Sequence, residues 1–144
     1  MAVNSGQCRC GKVKFEVSSH PVVTMACHCT GCQRMSSSAF SLSALYPNDK
    51  FHVKSGSPVL GGLRKEPRHF FCPDCMSWLF TRPMEDFVNV RATLMGDAST
   101  FVPFIETYTA EMLPWATTTA HKSFTHFPAE NEWPELLQAY AKQS

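Results

Sequence analysis

The chain has 144 residues, of which 44% are hydrophobic and 12% aromatic, so we expect a single domain over residues 1–144 with its own core. Its 13 basic and 12 acidic residues give a net charge of +1 without a run of like charges, so a nucleic-acid partner is not expected. No apolar run approaches the ~20 residues that span a bilayer, and the N-terminus has no features of a signal peptide. We therefore predict a cytoplasmic protein with no membrane partner.

Short stretches in which apolar and polar residues alternate predict β-strands along most of the chain. The predicted strands are 13–17, 40–44, 69–71, 78–81, 88–94 and 101–108. Pro103 interrupts the last of them, so we expect that strand at the edge of a sheet. Turn signals rich in glycine and proline separate the strands, which predicts a mostly-β domain of short antiparallel strands.

The C-terminal part of the chain has a helical pattern instead. Four apolar residues are spaced as one face of a helix: Trp133, Leu136, Leu137 and Tyr140. Acidic residues at the start of this segment and Lys142 at its end suit the helix dipole. We predict one amphipathic helix over residues 131–142, packed on the sheet, and a loop over 114–128.

Seven cysteines carry the strongest functional signal. They fall into a first group (Cys8 and Cys10), a middle group (Cys27, Cys29 and Cys32) and a third group (Cys72 and Cys75). An odd number argues against a disulfide framework. In a reducing compartment, clustered cysteines indicate metal binding or catalysis. Packing of metal-free cysteines as small buried hydrophobes is the alternative.

The spacing within the groups favours zinc, which prefers four ligands in a tetrahedron and binds thiolates well. A Cys-x-x-Cys turn brings two sulfurs onto one ion, and residues i and i+2 of an extended segment share a face. The first and third groups can therefore form one closed site. Cys29 and Cys32 with the third group would make an equally plausible four-thiolate site, so spacing leaves the grouping open.

The middle group places three thiols within six residues, and Gly31 is expected to permit the tight turn between Cys29 and Cys32. Three protein ligands leave the fourth position of the metal for water or substrate, as in catalytic zinc sites. A zinc ion with three thiolates has a net charge of −1, which makes it a weak Lewis acid. Such a centre is better suited to holding a fourth thiolate, which can attack a carbonyl carbon.

Three motifs together resemble the glutathione-dependent formaldehyde-activating (GFA) family. They are Gly6-Gln7-Cys8-Arg9-Cys10-Gly11, Cys27-His28-Cys29-Thr30-Gly31-Cys32 and Phe71-Cys72-Pro73-Asp74-Cys75. Weaker similarity continues through Gly96-Asp97 and Pro114-Trp115, so the resemblance extends over most of the chain. Two positions depart from it, because Met76 and the run Ser36-Ser37-Ser38 stand where relatives commonly have glycine.

The resemblance implies a zinc-bearing fold of the β-tent type and two zinc ions. One ion would be structural, held by Cys8, Cys10, Cys72 and Cys75. The other would handle the substrate thiol at Cys27, Cys29 and Cys32. The implied activity is that of a carbon–sulfur lyase on a small thiol–aldehyde adduct, with glutathione as co-substrate: glutathione and formaldehyde form S-hydroxymethylglutathione.

Two further residues are candidates for the second site. His28 lies between two ligands, and in an extended segment its ring points away from the metal, where it would orient a ligand or shuttle a proton. A histidine satisfied by a local hydrogen bond is the structural alternative. Arg34 lies two residues past Cys32 and is the first choice of cation for the carboxylates of glutathione, with a solvated surface arginine as the alternative.

Two other functional classes compete with the enzyme. The first is a zinc-stabilised protein-binding module without catalytic activity, in which a nearby His or Asp closes the second site. The second is a chromatin-associated or RNA-associated protein, which the near-neutral charge disfavours. The lack of an eighth cysteine favours the enzyme over the binding module. The sequence makes no prediction of oligomeric state.

Overall fold

A computed structural model describes residues 4–143. The predicted domain boundaries of 1–144 include residues 1–3 and 144, which lie outside the described part. In chain order the elements are β1 (Asn4–Gln7), β2 (Lys14–Val17), β3 (Val23–Cys27), α1 (Thr30–Ser36), β4 (Ser41–Pro47), β5 (Phe51–Ser55), β6 (Val59–Gly61), β7 (Arg68–Phe71), β8 (Trp78–Arg82), β9 (Phe87–Arg91), β10 (Ile105–Thr107), β11 (Lys122–Ser123) and α2 (Trp133–Lys142). The expectation of a mostly-β fold with a C-terminal helix is confirmed.

The strands form two sheets. The small sheet has the order β1-β2-β5, and the large sheet has the order β11-β10-β3-β4-β9-β8-β7-β6. Neighbouring strands are antiparallel, as expected, except that β10 runs parallel to both β3 and β11. A long connection after β9 brings β10 beside β3, and residues 108–121 connect β10 to β11. Parallel strands need long connections of this kind.

The two sheets pack face to face around the main core. Phe15 and Val17 of β2 and Phe51 of β5 meet buried residues of the large sheet: Ala44, Tyr46, Leu79, Phe80, Val88 and Val90. Because side chains alternate along a strand, the residues between these positions point to the other side of the large sheet.

That other side is polar at its centre. Cys27 pairs with Ser41, Ser43 pairs with Arg91, and Thr81 pairs with Asn89. Directly paired residues share a face of the sheet, so these side chains form one surface that we call the polar face: Cys27, Ser41, Ser43, Thr81, Asn89 and Arg91. The middle cysteine group therefore begins at one end of the polar face.

The predicted C-terminal helix is confirmed, with a later start than expected. Residues Glu130–Glu132 form a 3₁₀ turn, and α2 begins at Trp133 with Pro134 in its first turn, where proline is tolerated. Leu136 is buried against Val23, Met25, Phe104 and Ile105, so α2 covers the end of the large sheet that holds β3 and β10.

Three predicted strand features are wrong. The strand expected over 88–94 ends at Arg91, and Ala92–Leu94 is a 3₁₀ helix. Only Ile105–Thr107 of 101–108 is a strand, and it is paired on both sides, not at an edge. Pro103 lies before β10, so its missing N–H removes no bond from the ladder. The predicted loop over 114–128 contains the two-residue β11.

None of the helices among residues 4–143 is both long and apolar enough to cross a membrane.

Candidate metal centres

The first and third cysteine groups meet in space. The four-cysteine cluster comprises Cys8, Cys10, Cys72 and Cys75, whose sulfur atoms all lie within 4.8 Å of one another. The Sγ atoms of Cys8 and Cys10 are 3.6 Å apart, and those of Cys10 and Cys72 are 3.8 Å apart. A zinc–sulfur bond of about 2.3 Å in a tetrahedron places sulfurs about 3.8 Å apart, whereas a disulfide needs about 2.05 Å. The cluster therefore fits a zinc ion.

The cluster joins the two sheets. Cys8 and Cys10 lie in the turn between β1 and β2, and Cys72 and Cys75 lie in the turn between β7 and β8. The same two turns are held together by a hydrogen bond from the Arg9 amide to Ser77 Oγ (3.1 Å). A metal held here would therefore cross-link the small sheet to the large one. The alternative grouping of Cys29 and Cys32 with Cys72 and Cys75 is wrong.

Hydrogen-bond donors surround these sulfurs. The amide of Val13 donates to Cys8 Sγ at 3.3 Å, and the amide of Asp74 donates to Cys72 Sγ at 3.4 Å. The hydrogen bond with Ser77 lowers the pKa of Cys75 to about 5. Donors of this kind stabilise thiolates over thiols, as a metal ligand requires, whereas hydrogen bonds that Cys10 shares with the other three cysteines contribute to raising its pKa to about 11. Cys10 is also exposed, which argues against packing of the cysteines as small hydrophobes.

Both departures from the family glycines occupy left-handed backbone conformations. Met76 has a φ of 62°, and its amide donates to the carbonyl of Cys72 at 2.9 Å, closing the turn beside the four-cysteine cluster. Ser37 has a φ of 54° at the C-cap of α1. The backbone conformation that glycine favours is thus kept at both positions, at a cost in strain of roughly 1–2 kcal/mol per residue.

The three-cysteine cluster lies where β3 ends and α1 begins. It comprises Cys27, Cys29 and Cys32, whose sulfur atoms lie within 4.8 Å of one another. Cys29 is the N-cap of α1, and its Sγ accepts a hydrogen bond from the Cys32 amide at 3.3 Å. The helix, which sequence reasoning did not predict, turns Cys32 back toward the other two thiols.

Gly31 does not have the role expected of it. It lies inside α1 without a positive φ, and a Cβ added there would meet Cys29 Sγ at 3.8 Å, an ordinary contact. The turn between Cys29 and Cys32 is therefore a helical turn that other residues can also adopt.

Hydrogen bonds link the three thiols of this cluster to one another. A hydrogen bond from Cys32 lowers the pKa of Cys27 to about 5, and the same bond raises the pKa of Cys32. Cys27 is therefore the more acidic thiol of this pair, and Cys32 holds the proton of their hydrogen bond. Over residues 4–143 no fourth Cys, His, Asp or Glu joins this cluster, so these residues supply a three-thiolate set.

His28 points away from these sulfurs, as expected. It is 0% exposed, and its Nε2 lies 2.8 Å from Glu106 Oε1. Glu106 on β10 also accepts hydrogen bonds from Thr118 Oγ1 (3.1 Å) and Ser123 Oγ (2.5 Å). Burial raises the pKa of Glu106, but these hydrogen bonds outweigh it and lower the value overall. Sequence reasoning missed Glu106, because no spacing links it to the cysteines.

A second acidic residue holds the start of α1. Glu111 Oε1 accepts a hydrogen bond from the Thr30 amide at 2.7 Å. Gln33 Nε2 donates to the carbonyls of His28 (2.7 Å) and Glu111 (3.0 Å). The loop after β10 therefore supports the three-cysteine cluster from outside.

Two arginines, one on α1 and one on β9, differ in environment. Arg34 lies in the last turn of α1 and is exposed. Arg91, which sequence reasoning did not single out, is buried on the polar face with its guanidinium 4.0 Å from the ring centroid of Trp78. Burial lowers the pKa of Arg91 to about 10, and negative charge on Cys32 and Cys27 opposes that shift.

Comparison with known proteins identifies a family and supports the fold. The family model described as glutathione-dependent formaldehyde-activating enzyme (GFA) matches residues 3–111, a span that contains all seven cysteines. No curated protein matches the sequence. The crystal structure of a Rhodobacter sphaeroides protein is similar in fold, with a TM-score of 0.52 and 23% identity over 64% of this chain and 87% of that chain.

Proposed function

Because the chain belongs to the glutathione-dependent formaldehyde-activating family, we propose that it is a zinc-dependent carbon–sulfur lyase-like enzyme. Its substrate would be a small thiol adduct such as S-hydroxymethylglutathione, which it would form or cleave. The observation that carries the proposal is the three-cysteine cluster, which within residues 4–143 gains no fourth protein ligand. A three-thiolate set leaves one position for an external ligand.

The two clusters would have different roles. Cys8, Cys10, Cys72 and Cys75 would hold a structural zinc ion that joins the sheets. Cys27, Cys29 and Cys32 would hold the second zinc, which when bound supplies the positive charge that keeps an incoming thiol deprotonated near neutral pH. In the forward reaction the thiol sulfur bonds to the formaldehyde carbon, and the carbonyl oxygen gains the proton that the thiol loses.

The chain's own residues would orient this site. The Nε2 of His28 is hydrogen-bonded to Glu106. Because His28 lies between Cys27 and Cys29, this bond would hold both ligands in place. Such partners set ligand direction, and losing one commonly costs 10–100-fold in metal affinity or activity. Proton transfer by His28 would require exchange through Glu106, the group its Nε2 contacts.

Recognition of the thiol would need a cation, since glutathione carries two carboxylates. Arg34 remains a candidate on α1, the helix that also carries Cys32. Its exposure means that water and salt would screen its charge. Replacement of Arg34 by alanine with no change in glutathione affinity would remove it from the site.

Exchange NMR tests the proposed reaction directly. Purified protein is mixed with glutathione and formaldehyde, and the exchange rate between free glutathione and S-hydroxymethylglutathione is measured. We expect acceleration that disappears in Cys29→Ser, while zinc content falls by one ion per chain. Equal rates with and without protein would contradict the enzyme and leave the zinc-stabilised binding module.

A direct test of the external ligand uses X-ray absorption at the zinc edge. Addition of glutathione should raise the average number of sulfur ligands per zinc in the wild type. Cys29→Ser serves as the matched control, because it keeps the four-cysteine cluster. An unchanged zinc environment in the wild type would contradict thiol binding.

A further inference from the structure

We propose that Arg91 is the buried counter-charge of the three-cysteine cluster and makes that cluster selective for an anionic fourth ligand. The inference rests on the proposed zinc site at Cys27, Cys29 and Cys32. It names a residue outside the family motifs quoted above, on a strand that carries none of the cysteines.

The sheet register places Arg91 on the same face as the cluster. Cys27 pairs with Ser41 on one side of β4, and Arg91 pairs with Ser43 on the other side. Paired residues share a face, and only β4 separates the two strands. Strands β3 and β9 are therefore about 10 Å apart across the sheet, and Cys27 and Arg91 are offset by two residues along it. The long arginine side chain lies on the polar face that begins at Cys27.

The guanidinium lacks a conventional partner. Arg91 is 7% exposed, and none of the ion pairs formed among residues 4–143 involves it. Its Nη2 donates to Thr81 Oγ1 at 3.5 Å and to the carbonyl of Asn89 at 3.4 Å, both long, and its buried Nε has no hydrogen-bond partner. Burial of a charge without an anion is unfavourable, so this arginine needs a counter-charge from another group.

The thiolates of the cluster supply that charge. When the cluster holds zinc its cysteines are all thiolates, and negative charge on Cys32 and Cys27 acts on Arg91 in the direction that favours its charged form. His69 lies on the same face, paired with Thr81, and burial together with the positive charge of Arg91 lowers its pKa. Both causes favour the neutral form of His69, so Arg91 and not His69 is the cation that offsets the charge of the cluster on this face.

The charge balance explains selectivity. Zinc with three thiolates has a net charge of −1, and a fourth thiolate makes it −2, whereas a neutral ligand leaves it at −1. A buried cation offsets the added charge more strongly than an exposed one, because the effective dielectric constant is lower. Arg91 should therefore favour binding of a thiolate over binding of a neutral ligand. The exposed Arg34 should have the same effect only weakly, because solvent screens its charge.

The test uses two substitutions of Arg91 and one matched control. Arg91→Met removes the charge and keeps a side chain that can pack on Trp78, while Arg91→Lys keeps the charge. Arg82→Met is the control, since Arg82 is a half-buried arginine that also stacks on an aromatic ring, 5.3 Å from the centroid of Phe80. Zinc affinity of each cluster is measured by chelator competition.

Ligand binding is measured on the cobalt-substituted proteins from visible absorption, with 2-mercaptoethanol and glutathione as thiols and imidazole as the neutral ligand. For Arg91→Met we expect zinc affinity at the three-cysteine cluster and affinity for both thiols to fall by at least about tenfold. Imidazole affinity and zinc affinity at the four-cysteine cluster should stay unchanged. Arg91→Lys should recover most of the loss, and Arg82→Met should match the wild type.

Several outcomes would overturn the proposal. They are an unchanged zinc affinity in Arg91→Met, an equal loss at both clusters, an equal loss for imidazole and thiols, or no recovery in Arg91→Lys. A loss for glutathione without one for 2-mercaptoethanol would make Arg91 a contact for substrate carboxylates instead. If the wild type binds zinc but no thiol, the proposed function fails, while zinc affinity still decides the role of Arg91.

Discussion

His28 Nε2 and Glu106 Oε1 lie 2.8 Å apart and join positions separated by 78 residues. His28 is inside the cysteine motif, and Glu106 is on β10, which pairs in parallel with β3. The backbone strengthens the link, because the His28 amide donates to the carbonyl of Thr107 at 3.0 Å. The position of the three-cysteine cluster therefore depends on a strand that carries no cysteine.

Removal of the Glu106 charge should weaken this link. Glu106→Gln keeps the size of the side chain but loses the carboxylate that accepts from His28, Thr118 and Ser123. Since hydrogen bonds to a charged group contribute about 1.5–3 kcal/mol, we expect the free energy of unfolding in urea to fall by about 2 kcal/mol. Glu111→Gln is the control, because Glu111 is exposed and should cost less than 1 kcal/mol. An equal loss of unfolding free energy in Glu106→Gln and Glu111→Gln would contradict the prediction.

Protonation of the Glu106 carboxylate should destabilise the protein in acid. The pKa of Glu106 is lowered in the folded state from its ordinary value of 4.5. A lowered pKa stabilises the fold above the unfolded value, and that stability disappears as the pH falls through the folded value. Between metal-free wild type and Glu106→Gln, the difference in unfolding free energy should therefore be constant above about pH 5 and shrink below it. A constant difference down to pH 3 would argue against this assignment.

Glycine at position 76 should stabilise the protein. The φ of 62° at Met76 is strained for any residue with a Cβ, and the side chain is exposed, so little packing is lost. We expect Met76→Gly to raise the free energy of unfolding by about 1 kcal/mol. Met76→Ala is the matched control and should show no gain, since alanine has the same strain. A gain of equal size in both variants would trace to the methionine side chain instead.

The thiols of the metal-free protein should differ in reactivity. Because the pKa of Cys27 is lowered to about 5 and that of Cys32 is raised, Cys27 is the thiolate of the pair between pH 6 and pH 8. We expect iodoacetamide to modify Cys27 before Cys32, as mapped by peptide mass spectrometry after short reaction times. Reaction of the unfolded protein in urea is the control, and both thiols should react at similar rates there. Faster labelling of Cys32 in the folded protein would contradict the assigned proton position.

Loss of one ligand should have different effects at the two clusters. Cys10→Ser disrupts the cluster that joins the two sheets, whereas Cys29→Ser disrupts a cluster confined to the β3–α1 junction. Both variants should bind one zinc ion instead of two. Thermal unfolding should show the larger drop in melting temperature for Cys10→Ser. A larger drop for Cys29→Ser would mean that the second cluster is the main structural link.

Local sequence patterns work best for helices and strands that bury their side chains on one face. Alternation identified β2, which is buried on one face, and the 3.6-residue period identified α2. Alternation also identified β4, although Ser41 and Ser43 of that strand are buried on the face opposite Ala44 and Tyr46. The pattern failed for β3, whose residues VTMAC are buried nearly throughout, because a strand buried on both faces has no alternation. It also failed for α1, in which none of the residues is buried, so no apolar stripe marks the helix.

The sequence by itself determined the chemistry of the ligands, because spacing of two or three residues constrains which sulfurs can share one ion. It left open which distant pairs combine, and the structure decided this by bringing the β1–β2 turn to the β7–β8 turn. Only the tertiary structure revealed Glu106 and Arg91. Their relation to the cysteines comes from strand pairing between segments far apart in the chain, and such pairing places residues on one face without any local sequence signal.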